Sequence, residues 1–346
     1  MKYKLGLLAV ILWSIFAPTA ALALTAVDSG DLRLTISPLP VSLSGKPGQK
    51  IVAKLSVKNS GTKTENLKVD LLKFSAYGEE GKPLLSDRSS GDNYFDWVSF
   101  SQNRFLAEPD VWHDINMTIT LPKEAALGYY YAVTFSRLNP PASTKSNKLQ
   151  GGTAILVLVD ALAPTAKKEI KIDEFTSSHR IYEFLPTNFN IKVHNTGNIH
   201  LASSGNIFIK RGSKVIGNLE VNQEAGNILP GTKRIFNAQW ADGFPVYVPK
   251  TENGATVLKD GKTVNKLQWD ISKLGRLRFG YYTANLVMTY DDGKHDVPLE
   301  AVVGFWVIPW RLIAAVFVPL SGVAFLIYKY IRLKARMKKL QSKEPK

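Results

Sequence analysis

Residues 51–61 read IVAKLSVKNSG and residues 189–197 read FNIKVHNTG. In the first, Ile51, Ala53, Leu55 and Val57 alternate with mostly polar residues; in the second, Phe189, Ile191 and Val193 do the same. A period of two marks a strand with one face in a core and the other toward solvent. Each run stops at Asn-x-Gly, a turn signal whose glycine is expected to take positive φ. A second pair of signatures follows in the same order, LGYYYAV at 127–133 and FGYYTANLV at 279–287. Gly61 to Gly128 spans 67 residues and Gly197 to Gly280 spans 83. The polar stretch Pro249 to Lys266 can absorb the difference of 16.

Outward from these runs the chain is a series of short strands between turns. Gly45-Lys46-Pro47-Gly48, Gly78 to Pro83 and Leu229-Pro230-Gly231 break it, and no amphipathic helix stands out. The expected fold is all-β: tandem immunoglobulin-like β-sandwiches, residues 31–160 and 170–303, joined by a linker at 161–169. The 346 residues contain no cysteine. Inter-sheet disulfides, cysteine metal sites, a cysteine nucleophile and a lipoprotein anchor are thereby excluded, and the sandwiches must hold by packing.

Both ends carry membrane-type sequence. Residues 1–23 have Lys2 and Lys4, an apolar core from Leu5 to Phe16, and a small-x-small site at Ala21-Leu22-Ala23, the pattern of a cleaved signal peptide. Leu312 to Tyr328 is uncharged and almost wholly apolar, with Trp306, Trp310 and Arg311 before it and Tyr330 after it. A transmembrane helix is expected over 308–328. The tail, 329–346, holds eight basic residues and one acid. The net charge of +15 is therefore nearly half tail, and it predicts orientation rather than nucleic-acid binding: a single pass, domains outside, basic tail in the cytoplasm against anionic lipid heads.

Catalytic patterns are missing. The five histidines, at 113, 179, 194, 200 and 295, form no HExxH; no Gly-x-Ser-x-Gly elbow, phosphate loop or dinucleotide fingerprint occurs. No enzyme activity and no cofactor are expected. His194 and His200 flank the second Asn-x-Gly turn and can approach each other if it folds back, or simply sit exposed or cap the turn. Asp92, Asn93 and Asp96 offer some calcium-type oxygens, against the plainer reading of a solvated loop. The aromatic run Tyr94-Phe95-Asp96-Trp97-Val98-Ser99-Phe100 either stacks on a sugar or anchors a protein, or fills the core. Tyr94, Phe95, Trp97, Phe100 and, from the first Gly-Tyr-Tyr, Tyr130 are the candidate binding residues.

Four segments carry a resemblance: Pro47-Gly48, Val57-Lys58-Asn59-Ser60-Gly61, Asp92 to Phe100 and Gly151-Gly152-Thr153-Ala154. With the layout of leader, two β domains, one helix and basic tail, the chain resembles the bacterial WxL-interacting cell-surface proteins, and also broader secreted Ig-like families. The resemblance implies peptidoglycan binding through the first domain and protein partners through the second. The function expected from these readings is a non-enzymatic, membrane-anchored surface protein that binds a wall polymer or another surface protein. The alternative is an assembly factor, or chaperone-like scaffold, that lends a strand edge to a pilus-like β-rich subunit.

Overall fold

The computed structural model describes residues 32–139 and 152–341, and the side chains of that set up to Met337. The expected signal peptide, most of the loop between Asn139 and Gly152, and the last five residues lie outside the described residues.

The first lobe has ten strands: β1 Leu34–Ser37, β2 Val41–Gly45, β3 Lys50–Asn59, β4 Glu65–Tyr77, β5 Lys82–Ser86, β6 Val98–Phe100, β7 Arg104–Ala107, β8 Trp112–Thr120, β9 Gly128–Arg137 and β10 Thr153–Ala161. They form two facing sheets, ordered β1-β3-β8-β6 and β2-β10-β9-β4-β5, with β7 added on β4. The alternation of β3 does what its sequence dictates: Ala53, Leu55 and Val57 are buried against Ile115, Met117 and Ile119 of β8 and Val133, Ile155 and Val157 of the other sheet.

The second lobe opens with β11 Ile170–Ser177, β12 Ile181–Tyr182, β13 Thr187–Asn195, β14 Leu201–Ala202, β15 Ser204–Arg211, β16 Lys214–Val221, β17 Asn227–Ile228 and β18 Lys233–Trp240. A side arm of short strands follows, β19 Val246–Pro249, β20 Thr251–Glu252, β21 Ala255–Thr256, β22 Leu258–Lys259, β23 Lys262–Thr263 and β24 Asn265–Gln268, before β25 Gly280–Asp291 and β26 Asp296–Val307. Its main sheets run β11-β13-β18 and β12-β26-β25-β15-β16. These repeat the first lobe's β1-β3-β8 and β2-β10-β9-β4-β5, down to a parallel pair at the same place, β2 with β10 and β12 with β26. The architecture is a largely β, two-lobed sandwich with one apolar C-terminal helix, α1 Trp310–Gln341. The helix starts at Trp310, two residues later than the sequence suggests, and stays helical well into the basic segment.

The two Asn-x-Gly ends are the same device. Asn59 is fully buried; its Nδ2 donates to the carbonyls of Lys63 (2.7 Å) and Ala107 (2.9 Å), and its Oδ1 accepts from the Gly61 N–H (2.9 Å). Asn195 is equally buried, with Nδ2 on the carbonyls of Ile199 (2.9 Å) and Ile228 (2.8 Å) and Oδ1 on the Gly197 N–H (2.9 Å). One amide thus satisfies three backbone groups where a strand leaves the core. The glycine's reason differs from the expected one. Neither Gly61 nor Gly197 has positive φ. At Gly197 it is space, since a Cβ there would collide with the Lys167 carbonyl.

The Gly-Tyr-Tyr echo is out of step with the cores. Tyr131 packs inside the first lobe while Tyr130 points to its other face; in the second lobe Tyr282 is inside, stacked on Phe305 at 5.8 Å, while Tyr281 is half exposed over Trp306. Gly128 aligns with Gly280 in sequence, but the core-facing parity has shifted by one residue.

Replacing either buried asparagine orphans buried carbonyls, that of Ala107 in the first lobe and those of Ile199 and Ile228 in the second. Asn59→Ala and Asn195→Ala are each expected to cost about 2–3 kcal/mol in chemical denaturation. The double variant is expected to lose the sum, because the two plugs sit in separate lobes.

Candidate docking site

Strand β10 is paired along only part of one side. Along β9 it is paired from Thr153 to Asp160, whereas on its other side β2 reaches only from Val157 to Ala161. Among the described residues, Thr153, Ala154, Ile155 and Leu156 therefore have one open edge. The local sequence explains the gap. β1 pairs with β3 in the opposite sheet, and the chain crosses to β2 through Pro38, Leu39 and Pro40. Proline has no N–H to give a ladder, so the strand cannot extend back along Leu156. The four open residues carry no charge, a property shared with the short edge strands β1 and β6, whereas the edge strands β5, β16 and β18 carry Lys82, Lys214 with Glu220, and Lys233 with Arg234. Charge on an edge blocks strand addition, and its absence permits it.

The alternation of β10 then sorts its side chains. Ile155, Val157, Val159 and Ala161 enter the first lobe's core. Leu156 and Leu158 face the other way, into a groove between the lobes. Phe74 of β4 shares their wall; Ile228 and Leu229 of the second lobe form the opposite one, with Arg234 at the rim. The Arg234 guanidinium stacks over Phe236 at 5.3 Å and donates to the Asn227 carbonyl at 2.7 Å, and burial pulls its pKa down.

The lobes are tied on both sides of this groove. Lys192 pairs with Glu79 at 2.9 Å, and the Ile235 N–H donates to the Glu79 carbonyl at 2.7 Å. On the other side Asp160 of β10 lies 2.7 Å from Nδ1 of His200, and the Gly128 N–H donates to the Asn198 carbonyl at 3.1 Å. The Tyr130 ring meets Phe74 and His200 edge-on, with centroids at 6.4 and 5.8 Å. Burial, and then the Asp160 charge, push its hydroxyl pKa up.

Four of the five aromatic candidates gather at one end of the first lobe, and the fifth does not join them. Tyr94 sits in a 3₁₀ turn with its ring centroid 4.9 Å from Phe95, 5.5 Å from Tyr129 and 5.3 Å from Tyr131. Phe95 is a core residue, and Trp97 and Phe100 pack against that core from its margin. Burial, and then Asp92, raise the Tyr94 pKa to about 12. Tyr130 is on the opposite face of its sheet, in the lobe contact.

The acids beside the aromatic run have protein partners. Asp92 accepts from Lys73 and from the Ser89 N–H, both at 2.8 Å, and Asp96 takes both guanidinium nitrogens of Arg88 at 2.6 and 2.9 Å. No group of three or more histidine, aspartate or glutamate side chains among the described residues is arranged to hold a metal ion. His194 and His200 do not pair: His194 lies 3.7 Å from Asp173, and His200 turns to the other lobe. Sequence reasoning missed Asp160, Arg234 and the groove, and it singled out His200 without its partner in the other lobe. The one available clue was Asp160 itself, a lone acid ending an apolar strand.

No family model matches the chain, and no curated protein matches it. Solved structures do. The class 5 fimbriae chaperone CfaA is 12% identical, with 78% of this chain and 98% of that one covered and a TM-score of 0.37. The CsuC–CsuE chaperone–tip adhesion subunit pre-assembly complex, from the archaic chaperone-usher Csu pili of Acinetobacter baumannii, is 10% identical, with 78% and 97% covered and a TM-score of 0.36. The YadV chaperone is 11% identical, with 79% and 99% covered and a TM-score of 0.34. These findings correct the resemblance to WxL-interacting proteins: what the chain is similar to is a set of solved chaperone structures. The reading as a wall-binding surface protein is corrected with it. So are the partners it implied, peptidoglycan, surface proteins and lipid heads, and the single-pass surface address with a cytoplasmic tail. The non-enzymatic reading is retained.

Lys73 first, and then the Ser89 N–H, hold the Asp92 carboxyl below its usual 3.8. A depressed carboxyl pKa stabilises the fold above the unfolded value and stops doing so as pH falls through the folded one. Stability followed by denaturant midpoint should therefore fall as the medium is acidified below about 4, and Asp92→Asn should flatten part of that fall.

Proposed function

We propose that the protein is a non-enzymatic assembly factor that takes up a strand of a β-rich pilus-like subunit along the open half of β10. The observation that carries this is the uncharged, unpaired edge Thr153–Leu156 with an apolar groove beneath it. A strand added there makes main-chain hydrogen bonds worth about 0.5–1.5 kcal/mol each and lays alternate side chains against Leu156 and Leu158. The subunit gains a partner for its own exposed edge, which guards it against aggregation.

The finer description of the fold belongs to the same reading. The two lobes, 31–160 and 170–303, are Ig-like sandwiches in tandem, supported by the strand order they share. Residues 1–23 are a leader that exports them. The helix α1 is long and apolar enough to cross a membrane: the stretch from Trp310 to Met337 has a best window of mean hydropathy 2.0 and no burial against the lobes.

A photo-crosslinking residue at Leu156 should capture an extended, apolar-alternating segment of a secreted subunit. Leu156→Lys should weaken capture by tenfold or more, about 1.4 kcal/mol, while leaving the thermal transition in place. Capture unchanged by the lysine would sink the docking role of this edge.

A further inference from the structure

Asp160 and His200 stand out among the ion pairs because both are buried, about 7% exposed each, and because they belong to different lobes. Their facing atoms, Asp160 Oδ1 and His200 Nδ1, lie 2.7 Å apart, and among the described residues neither makes an aligned hydrogen bond. A carboxylate in such a place relies on one neighbour for compensation. The position of each residue in its own strand matters more than the pair itself. Asp160 is in β10, on the same face as Leu156 and Leu158, which form one wall of the groove. His200 immediately precedes β14, whose Leu201 and Ala202 pair with Ile228 and Asn227 of β17, and Asn227, Ile228 and Leu229 form the other wall. The contact thus joins the two strand systems between which the groove lies. Tyr130 closes it from the side: its ring is edge-on to His200, and its β9 position pairs with Leu158.

We propose that Asp160 and His200, backed by Tyr130, are the positioning residues of the groove: a buried latch that fixes the distance between its walls and so the angle between the lobes. The salt bridge Lys192 with Glu79, which also joins the lobes, is more exposed, at 24% and 42% of side-chain surface. Exposed pairs contribute little, whereas removing one partner of a buried pair leaves the other without compensation. The latch acts on the walls, so it stands or falls separately from the identity of whatever docks there.

The cysteine-free sequence makes the test clean, because two introduced thiols are the only ones present. Ser99→Cys and Asn218→Cys place spin labels on exposed strand positions of the first and second lobes in the full chain. Double electron–electron resonance then reads the distance between the lobes. With Asp160 and His200 intact, the distribution is expected to be narrow. His200→Ala leaves a buried carboxylate alone and is expected to broaden or shift it and to lower the melting temperature. Asp160→Asn added to His200→Ala removes the stranded charge and is expected to bring the distribution back toward the narrow one. A void left by a merely space-filling histidine would not be repaired by that second change. An unchanged distribution in His200→Ala, or a double variant as broad as the single one, overturns the proposal.

Discussion

Strand β10 has two faces and two edges, and the structure uses all four for different ends. A period of two allows this, because alternate residues are committed to opposite faces and cannot compete. Ile155, Val157 and Val159 bind the two sheets of the first lobe together. Leu156, Leu158 and Asp160, one position out of phase, belong to the contact with the second lobe. One edge is filled by β9 along almost its whole length, and the other is filled by β2 only from Val157 onward. A slip of one residue in this register would put Asp160 into the core and Val159 into the groove. The core, the groove, the latch and the open edge are therefore set by a single pairing.

Without disulfides the lobes need another way to end their strands inside apolar surroundings. A buried asparagine at the end of β3 and of β13 supplies it, by turning one side chain into two donors and an acceptor for backbone that would otherwise be orphaned. The aromatic interior of the second lobe adds cohesion: Trp240 meets Tyr282 at 5.5 Å and Phe305 at 6.0 Å, with the indole and phenyl rings near edge-on. Such pairs contribute roughly 0.5–1.5 kcal/mol beyond the area they bury.

How much of this can be read in advance depends on the range of the interaction involved. The Asn-x-Gly ends are legible, because the turn is local and the alternation before it is strict. The Gly-Tyr-Tyr echo is legible as a repeat and misleading as an alignment: which tyrosine faces inward depends on pairing with strands far away in sequence, not on the glycine. Phe95 in the core and Tyr130 in the lobe contact look alike in a sequence, since an aromatic ring suits a core and an interface equally. The groove is illegible. Its walls come from residues at 74, 156, 158, 227–229 and 232–234, which only the folded topology brings together. Likewise the resemblance drawn from Pro-Gly and Asn-x-Gly rested on turn chemistry that any sandwich of this kind needs.

The route into α1 adds a mechanical consequence. The Trp306 N–H donates to the Arg180 carbonyl at 2.8 Å and the Ile308 N–H to the Tyr182 carbonyl at 2.7 Å, so the last residues before the helix are stitched onto β12. Pro309 is buried, and Trp310 begins the helix directly. The helix is thus joined to the second lobe with almost no slack, while the open edge belongs to the first. The side arm β19–β24, which absorbs the extra sequence between β18 and β25, stands outside the main sheets and does not interrupt this path. Any orientation of the open edge relative to the helix must then pass through the contact between the lobes. That places the demand for rigidity on a small set of groups, Asp160 with His200 on one side of the groove and Glu79 with Lys192 on the other, rather than on the linker that joins the two sandwiches.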